Sequence, residues 1–371
     1  NQCLIYQKIR IPMSNLKDKA KIIGILGGGQ LAQMTIDAAH KLGYKVHVYS
    51  DKEGSIAFAN SDYKTKGSYS DIELIKEFAE SVSVITYEFE NIPRDIVVFL
   101  EKNYNLRPNS KALEVCQKRS LEKTFINMIG IETAKFKAIA SIDDVEEFLS
   151  TYGSAILKTN SLGYDGKGQF ILNSVLDIAQ IEDIDFTSQE FIIEEKLAFE
   201  SEISVLIARN NAGKAEIMPI TQNFHENAIL DYTVYPSDLS ESLLADAANM
   251  ADKIAMELDY VGILAVEIFV MPDNSLLVNE LAPRPHNTGH WSMDACNHSQ
   301  FELFIRAITD QDLPKVVATH KADMVNLLGD EIYNIEDLKQ SSDIFVHDYG
   351  KGEAKPGRKM GHYTILRSVI E

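Results

Sequence analysis

The stretch KIIGILGGGQLAQM, Lys21 to Met34, sets the reading of the whole chain. A short apolar run, Ile22 to Leu26, meets Gly27-Gly28-Gly29 and gives way to a helix-like pattern. Strand, tight turn and helix N-terminus in that order turn backbone N–H groups toward an anion. Gly27, Gly29 and Ala32 also fit the permissive dinucleotide pattern G-x-G-x-x-G/A, and Asp51 ends the next strand near the place of a ribose-binding acid. The stretch predicts an α/β domain whose turn holds either a dinucleotide or another phosphate-bearing ligand.

Outward from it, strands are expected at 21–26, 44–49 and 82–87, with amphipathic helices near 30–42 and 70–80: a parallel α/β domain. RPNSKALEVCQKRSLEKTFINMIG reads as a helical connector ending in a Gly130 cap. From about residue 133 the texture becomes α+β. AKFKAIA and SAILK are strands, Ser141 and Asp144 form a capping box for the helix between them, and TNSLGYDGKGQ is a polar glycine-rich loop. FIIEEKLAFESEISVLIA follows as two strands, then a helix over 240–258 and the strands GILAVEIFV and SLLVNEL, joined by a Met271-Pro272-Asp273-Asn274 turn. Past Asp310 the signals weaken into a small C-terminal unit.

The 371 residues suffice for two or three packed units, and 45% hydrophobic residues is ordinary for a soluble globular protein. No apolar run approaches a membrane span, so no membrane partner is expected. The net charge of −19 argues against nucleic acid, which needs a basic footprint, but leaves room for a small phosphorylated substrate. Cys3, Cys116 and Cys296 are odd in number and lack metal-ligand spacing, which points to a reducing cytoplasm. Residues 1–12 precede Met13 and lack the features of a signal peptide; they are expected to be an upstream remnant.

Four constellations carry chemistry. Glu267 and Glu280 sit in strands that pair as a hairpin, so both carboxylates can face one side, with the Asn279 amide beside them. Mg²⁺ takes a few hard oxygen ligands and completes its octahedron with phosphate oxygens and water. The loop directly after, with Arg284, His286, Asn287 and His290, gathers donors that two ordinary strand charges would not explain. Second, Lys158 ends a strand before LGYDGKGQ, where Gly163, Gly166 and Gly168 permit close backbone approach and Lys167 adds charge. Alone, such a loop is more often a hairpin connection than a phosphate clamp. Third, Glu194 to Leu197 can offer backbone groups to a purine edge, and Glu202 can bind a ribose diol; in isolation this is a charged strand edge. Fourth, Lys351, Lys355, Arg358, Lys359 and His362 make the dense basic cluster of an acidic chain, which reads as a phosphate site.

GGGQL, TYEFENIP, KTNSLGYDGKGQ, VNELAPRPHNTGHW and GRKMGH, in this order, closely resemble the ATP-grasp 5-(carboxyamino)imidazole ribonucleotide synthetases of de novo purine biosynthesis. The resemblance covers nearly everything from residue 21 onward. It implies a parallel α/β N-terminal (pre-ATP-grasp) domain over 13–115, a two-lobed α+β ATP-grasp domain over 116–297 with its small lobe at about 133–197, and a C-terminal domain over 298–371. It also implies ATP, bicarbonate and 5-aminoimidazole ribonucleotide as substrates, Mg²⁺ as cofactor, carboxyphosphate as intermediate, a cytoplasmic location and a homodimer.

The family's roles carry over residue by residue. Arg119 and Lys158 contact ATP phosphates, under a loop running from Gly163 through Tyr164, Asp165, Gly166, Lys167 and Gly168 to Gln169. Glu194, Glu195, Lys196 and Leu197 line the adenine pocket, Glu202 holds the ribose, and His225 matches a further nucleotide-site position. Glu267 and Glu280 bind the metal, with Asn279 beside them. Gln30, Leu31, Glu88 or Glu90, Tyr164 and Lys167 face the ribonucleotide, and Lys351, Arg358 and Lys359 hold its 5′-phosphate. Arg284, His286 and Asn287 hold bicarbonate, carboxyphosphate or released carbon dioxide, and Asp165 serves as base or orienting group at the amine. QKR at 117–119 stands where the family often has QDR, and TNSL with Lys167 where TRFG-like residues and Arg occur. A formate-dependent glycinamide ribonucleotide transformylase is the sister alternative. A dinucleotide-dependent oxidoreductase and a catalytically inactive binding protein are the alternatives from other classes.

Overall fold

A computed structural model describes residues 21–161 and 168–370. The chain divides into two compact units, one ending at Ser110 and the other beginning at Lys111.

The first unit is a parallel sheet of β1 (Ile22–Leu26), β2 (Lys45–Ser50), β3 (Tyr63–Lys66) and β4 (Val84–Tyr87), in the order β3-β2-β1-β4. Every residue of β1 is buried, as expected of a strand covered on both faces. Helices α1 (Gln30–Lys41), α2 (Ile72–Glu80) and α3 (Arg94–Asn103) complete the alternation. The expected strands and the first two helices are thus present; β3 and α3 are additions.

From the boundary residue Ser110, α4 (Ser110–Gln117) and α5 (Arg119–Met128) replace the single connector with two helices, and Gly130 follows at φ +75°. A four-stranded antiparallel sheet then forms from β5 (Phe136–Ile139), β6 (Ala155–Thr159), β7 (Gln169–Leu172) and β8 (Phe191–Glu195), ordered β5-β8-β6-β7. Between β5 and β6 runs α6 (Ile142–Tyr152), opened by the capping box expected from the sequence. Val145, Phe148 and Leu149 of α6 close the core with Leu157, Ile193 and Leu172.

The larger sheet runs β14 (Leu276–Ala282), β13 (Gly262–Val270), β9 (Ser201–Arg209), β11 (Thr221–Glu226), β12 (Ile229–Tyr235), β15 (His320–Leu328), β17 (Lys359–Val369) and β16 (Ile344–Asp348), with β10 (Ala215–Ile217) paired to β9. The residues after Asp310 therefore extend the same sheet as the Glu267–Glu280 hairpin. On one face, α7 (Glu241–Glu257) lays Leu243, Ala247, Ala251, Ile254 and Ala255 against Ile203, Val205, Val266 and Ile268. Two-residue alternation sends Glu202, Ser204 and Glu267 to the opposite face. The short helix α8 (Ser292–Ala295), α9 (Gln300–Ile308) and the short α10 (Ile335–Leu338) complete the unit.

Candidate active site

The acidic face is built by strand register. Glu267 lies directly opposite Glu280 on β14 and opposite Ser204 on β9, so Glu202, two residues before Ser204, shares their side. A β-bulge in β14 sets Asn279 and Glu280 together against Glu267, while Val278 and Leu281 on either side enter the core. Bulges of this kind re-aim side chains beside sites.

Three carboxylates on one mostly buried face repel one another. Burial, then the charges of Glu202 and Glu280, push Glu267 well above the usual carboxylate range. Burial and then Glu280 push Glu202 up to about 8. Glu280 is the exception: desolvation would raise it, but Arg119, with Lys158 and Arg284 behind, holds it below its ordinary value. Arg119 Nη1 donates to Glu280 Oε2 at 3.1 Å. One acid of such a group stays ionised while its neighbours hold protons until a cation arrives. A divalent cation fits this donor set, because Glu267 and Glu280 offer hard carboxylate oxygens from directly opposite positions of one strand pair.

Facing the acids is a cluster of cations that α5 and β6 supply. Lys158 Nζ donates to Glu194 Oε2 at 2.9 Å, and Lys123 Nζ lies 3.3 Å from the same oxygen. Burial would raise Glu194, but Lys158 and Lys123 hold it down at about 2, so it stays ionised. Lys123 also donates to the Asn279 carbonyl at 3.1 Å, and Glu122 accepts the Leu281 N–H at 2.7 Å. Glu122 and Lys123 were not expected from sequence, although three- and four-residue spacing from Arg119 puts all three on one helical face. Asn160 accepts the Arg119 N–H with its carbonyl and the Ser120 N–H with its side chain, fixing the start of α5. Lys118, the departure in QKR, pairs with Glu190 at the surface.

The remaining nucleotide-site positions fall nearby or outside the described residues. His225 Nε2 lies 3.7 Å from Glu202 Oε1, too far for a hydrogen bond. Glu195 ends β8 with its N–H on the Lys135 carbonyl; Lys196 and Leu197 follow as irregular chain, with Lys196 Nζ on Asn173. Gly168, at φ +71°, accepts the Thr159 N–H, and Gln169 pairs with Lys158 across β6 and β7. Gly163, Tyr164, Asp165, Gly166 and Lys167 lie outside the described residues, as do residues 1–12.

After β14 the chain forms the donor loop. His286 Nδ1 lies 2.9 Å from Thr288 Oγ1 and 3.7 Å from Glu267 Oε1. Burial, with Arg284, Lys359 and His225 adding positive charge, holds His286 neutral. Asn287 and Asn326 exchange two amide hydrogen bonds of 3.0 and 2.7 Å, which locks the Asn287 side chain into the large sheet. Lys359 acts electrostatically on Glu267 and His286. Lys351 Nζ donates to the Lys359 carbonyl and lies over the Tyr349 ring, while Arg358 is exposed.

Among the described residues, Asp294, His347 and His362 also bring metal-ligand atoms together. His347 Nε2 is already held by Asp294 at 3.0 Å, and the two imidazoles stack 4.5 Å apart at 12°.

In the first unit, Gln30 and Leu31 are half-buried at the start of α1. Gly27 holds φ +108°, where a Cβ would meet the Glu88 side chain at 2.4 Å. Glu88 itself accepts the N–H groups of Gly29 and Ala32. A protein carboxylate thus takes two of the helix-terminal donors that the sequence assigns to a ligand. Glu90 is half-buried two residues on, and Asp51 is exposed after β2.

Over residues 20–117 the chain matches the ribonucleotide synthetase preATP-grasp domain, over 124–301 the ATP-grasp domain, and over 322–371 the phosphoribosylaminoimidazole carboxylase C-terminal domain. It is 38% identical over 350 residues to the N5-carboxyaminoimidazole ribonucleotide synthase of Bacillus subtilis (strain 168), covering 93% of this chain and 91% of that one. It is 42% identical over 364 residues to the bifunctional purine synthesis protein purC/E of Dictyostelium discoideum, spanning 92% of this chain but 36% of that longer protein. The N5-carboxyaminoimidazole synthase of Aspergillus clavatus, solved with ADP and 5-aminoimidazole ribonucleotide, superposes at a TM-score of 0.86 with 25% identity, over 94% of each chain. The chain belongs to the N5-carboxyaminoimidazole ribonucleotide synthase family of ATP-grasp enzymes.

Proposed function

We propose that this chain is a ligase that uses ATP and bicarbonate to carboxylate 5-aminoimidazole ribonucleotide, releasing N5-carboxyaminoimidazole ribonucleotide, ADP and phosphate. The observation that carries the reading is the pairing of one acidic face, Glu202, Glu267 and Glu280, with Arg119, Lys123 and Lys158. Neither a dinucleotide oxidoreductase nor an inert binding protein calls for that arrangement. The match to a phosphoribosylaminoimidazole carboxylase C-terminal domain favours this reading over a formate-dependent transformylase.

Glu267 and Glu280 would hold Mg²⁺, which supplies charge neutralisation to the transferring phosphoryl group. Arg119 and Lys158 orient the ATP phosphates, to which Gly163 to Gln169 are also assigned. Glu194 to Leu197 line the adenine, with Glu202 and His225 on the ribose side. Attack of bicarbonate on the γ-phosphoryl group is limited by charge repulsion and positioning, so donors with fixed geometry carry the catalysis. Arg284, neutral His286 and the locked Asn287 provide such donors for bicarbonate and the carboxyphosphate made from it. Asp165 orients or deprotonates the accepting amine. Gln30, Leu31, Glu88, Glu90, Tyr164 and Lys167 are assigned to the ribonucleotide, and Lys351, Arg358 and Lys359 to its 5′-phosphate. The proposal extends to domains at 13–115, 116–297 and 298–371, a homodimer and a cytoplasmic location.

Phosphate release from ATP that requires both 5-aminoimidazole ribonucleotide and bicarbonate is the expected result, with the carboxylated product detected by mass. Stimulation by formate and glycinamide ribonucleotide instead would overturn the reading. Light scattering at micromolar concentration reads the dimer directly.

A further inference from the structure

We propose that Gln300 is a positioning residue for the reaction, acting through His286. The inference rests on the assignment of His286 to the bicarbonate end of the site. Gln300 is the first residue of α9 and is fully buried. Its backbone N–H is held by Ser292 Oγ at 3.0 Å. Its side chain then makes three hydrogen bonds. Oε1 accepts the His286 N–H at 2.9 Å, and Nε2 donates to the His286 carbonyl at 2.7 Å and to His290 Nδ1 at 2.8 Å.

One amide thus grips both backbone groups of His286, in the manner of a strand partner. The pattern also fixes which way the amide points. A flipped side chain would set its NH₂ against the His286 N–H and its oxygen against the His286 carbonyl. His290 accepts at Nδ1, so its proton sits on Nε2, and burial holds the ring neutral. Gly289 makes the approach possible: a Cβ there would stand 2.7 Å from Gln300 Oε1 and 2.3 Å from Leu206 Cδ2. A residue 14 positions after His286 therefore sets the rotation of the peptide that carries the imidazole beside Glu267.

Gln300 touches no reacting group, and its contribution is the placement of His286. Gln300→Glu keeps the acceptor for the His286 N–H but replaces two amide donors with at most one O–H, at nearly unchanged volume. The expected result is a fall in kcat of about tenfold or more, with the KM for ATP within about twofold of the parent. The decisive measurement is a double-mutant cycle with His286→Ala. If Gln300 acts through His286, adding Gln300→Glu to His286→Ala costs less than about twofold further. Multiplicative losses would overturn the proposal, as would a Gln300→Glu enzyme of full activity beside a crippled His286→Ala. Full activity of His286→Ala is a separate outcome: it removes His286 from the site and sinks the underlying assignment. Where Gln300→Glu fails to fold, Gln300→Asn, which keeps amide chemistry on a shorter arm, enters the same cycle with the same criteria.

Discussion

At the residue scale, Glu280 differs from the acids around it because Arg119 keeps it ionised. It is the carboxylate of the face that meets a cation without first losing a proton. Glu280→Gln should therefore lower turnover by about a hundredfold or more while the circular dichroism spectrum and the melting transition stay close to the parent. Near-normal turnover would remove Glu280 from the metal shell. Glu194 supports a second expectation, with the opposite readout. Its folded-state value, about 2, lies below the unfolded one, so its contribution to stability is present above about pH 4.5 and fades as pH falls toward 2. Glu194→Gln should flatten the acid limb of the stability profile, measured by urea melts at stepped pH; an unchanged limb would contradict the Lys123–Glu194–Lys158 cluster. Arg358, exposed on the basic segment, is a phosphate contact by assignment. Arg358→Ala should raise the KM for the ribonucleotide by roughly tenfold and leave that for ATP alone; a selective loss of ATP affinity would reverse the assignment.

At the element scale, the local rules were legible and the long-range ones were not. The capping box at Ser141 and Asp144 could be read because it needs two residues three apart, and the structure forms both of its hydrogen bonds. The Glu267–Glu280 hairpin was legible for the same reason, with Asn274 at φ +64° in its turn. The bulge at Asn279 was not, because it exists relative to a partner strand and leaves no period of its own. Glu122 and Lys123 were missed although their helical spacing was available, since a charged pair on a helix reads as a solvated face until Leu281 and Glu194 come to meet it. The capping box offers a test of how local such an element is. Ser141→Ala should cost about 1 kcal/mol of stability in the α6 lobe, seen as faster amide exchange in α6, β6 and β8, with kcat within about twofold. A large loss of kcat at unchanged stability would mean that α6 acts on the site directly.

At the scale of the whole molecule, what sequence could not show was that the residues after Asp310 join the sheet of the acidic hairpin. The β12–β15 pairing spans about ninety residues of chain, and such long-range register is carried by no local pattern. The acidic face has a consequence for the molecule as a whole, through proton linkage. Glu202 and Glu267 are raised by burial and by their neighbours, Glu202 to about 8. A carboxylate raised on folding stabilises the protein fully below its unfolded value, and that contribution is lost as pH climbs from about 4.5 through the folded value. Binding a divalent cation favours the ionised acids, so at pH 6 it must displace protons that at pH 8 are already leaving. Each displaced proton changes the binding energy by up to about 2.7 kcal/mol across those two pH units. Mg²⁺ with a non-hydrolysable ATP analogue should therefore raise Tm by several degrees more at pH 8 than at pH 6, by differential scanning fluorimetry or calorimetry. The difference should shrink in Glu267→Gln, which removes one of the acids that burial holds protonated. An increment independent of pH in the parent protein would mean that the metal and nucleotide bind away from the Glu202–Glu267–Glu280 face.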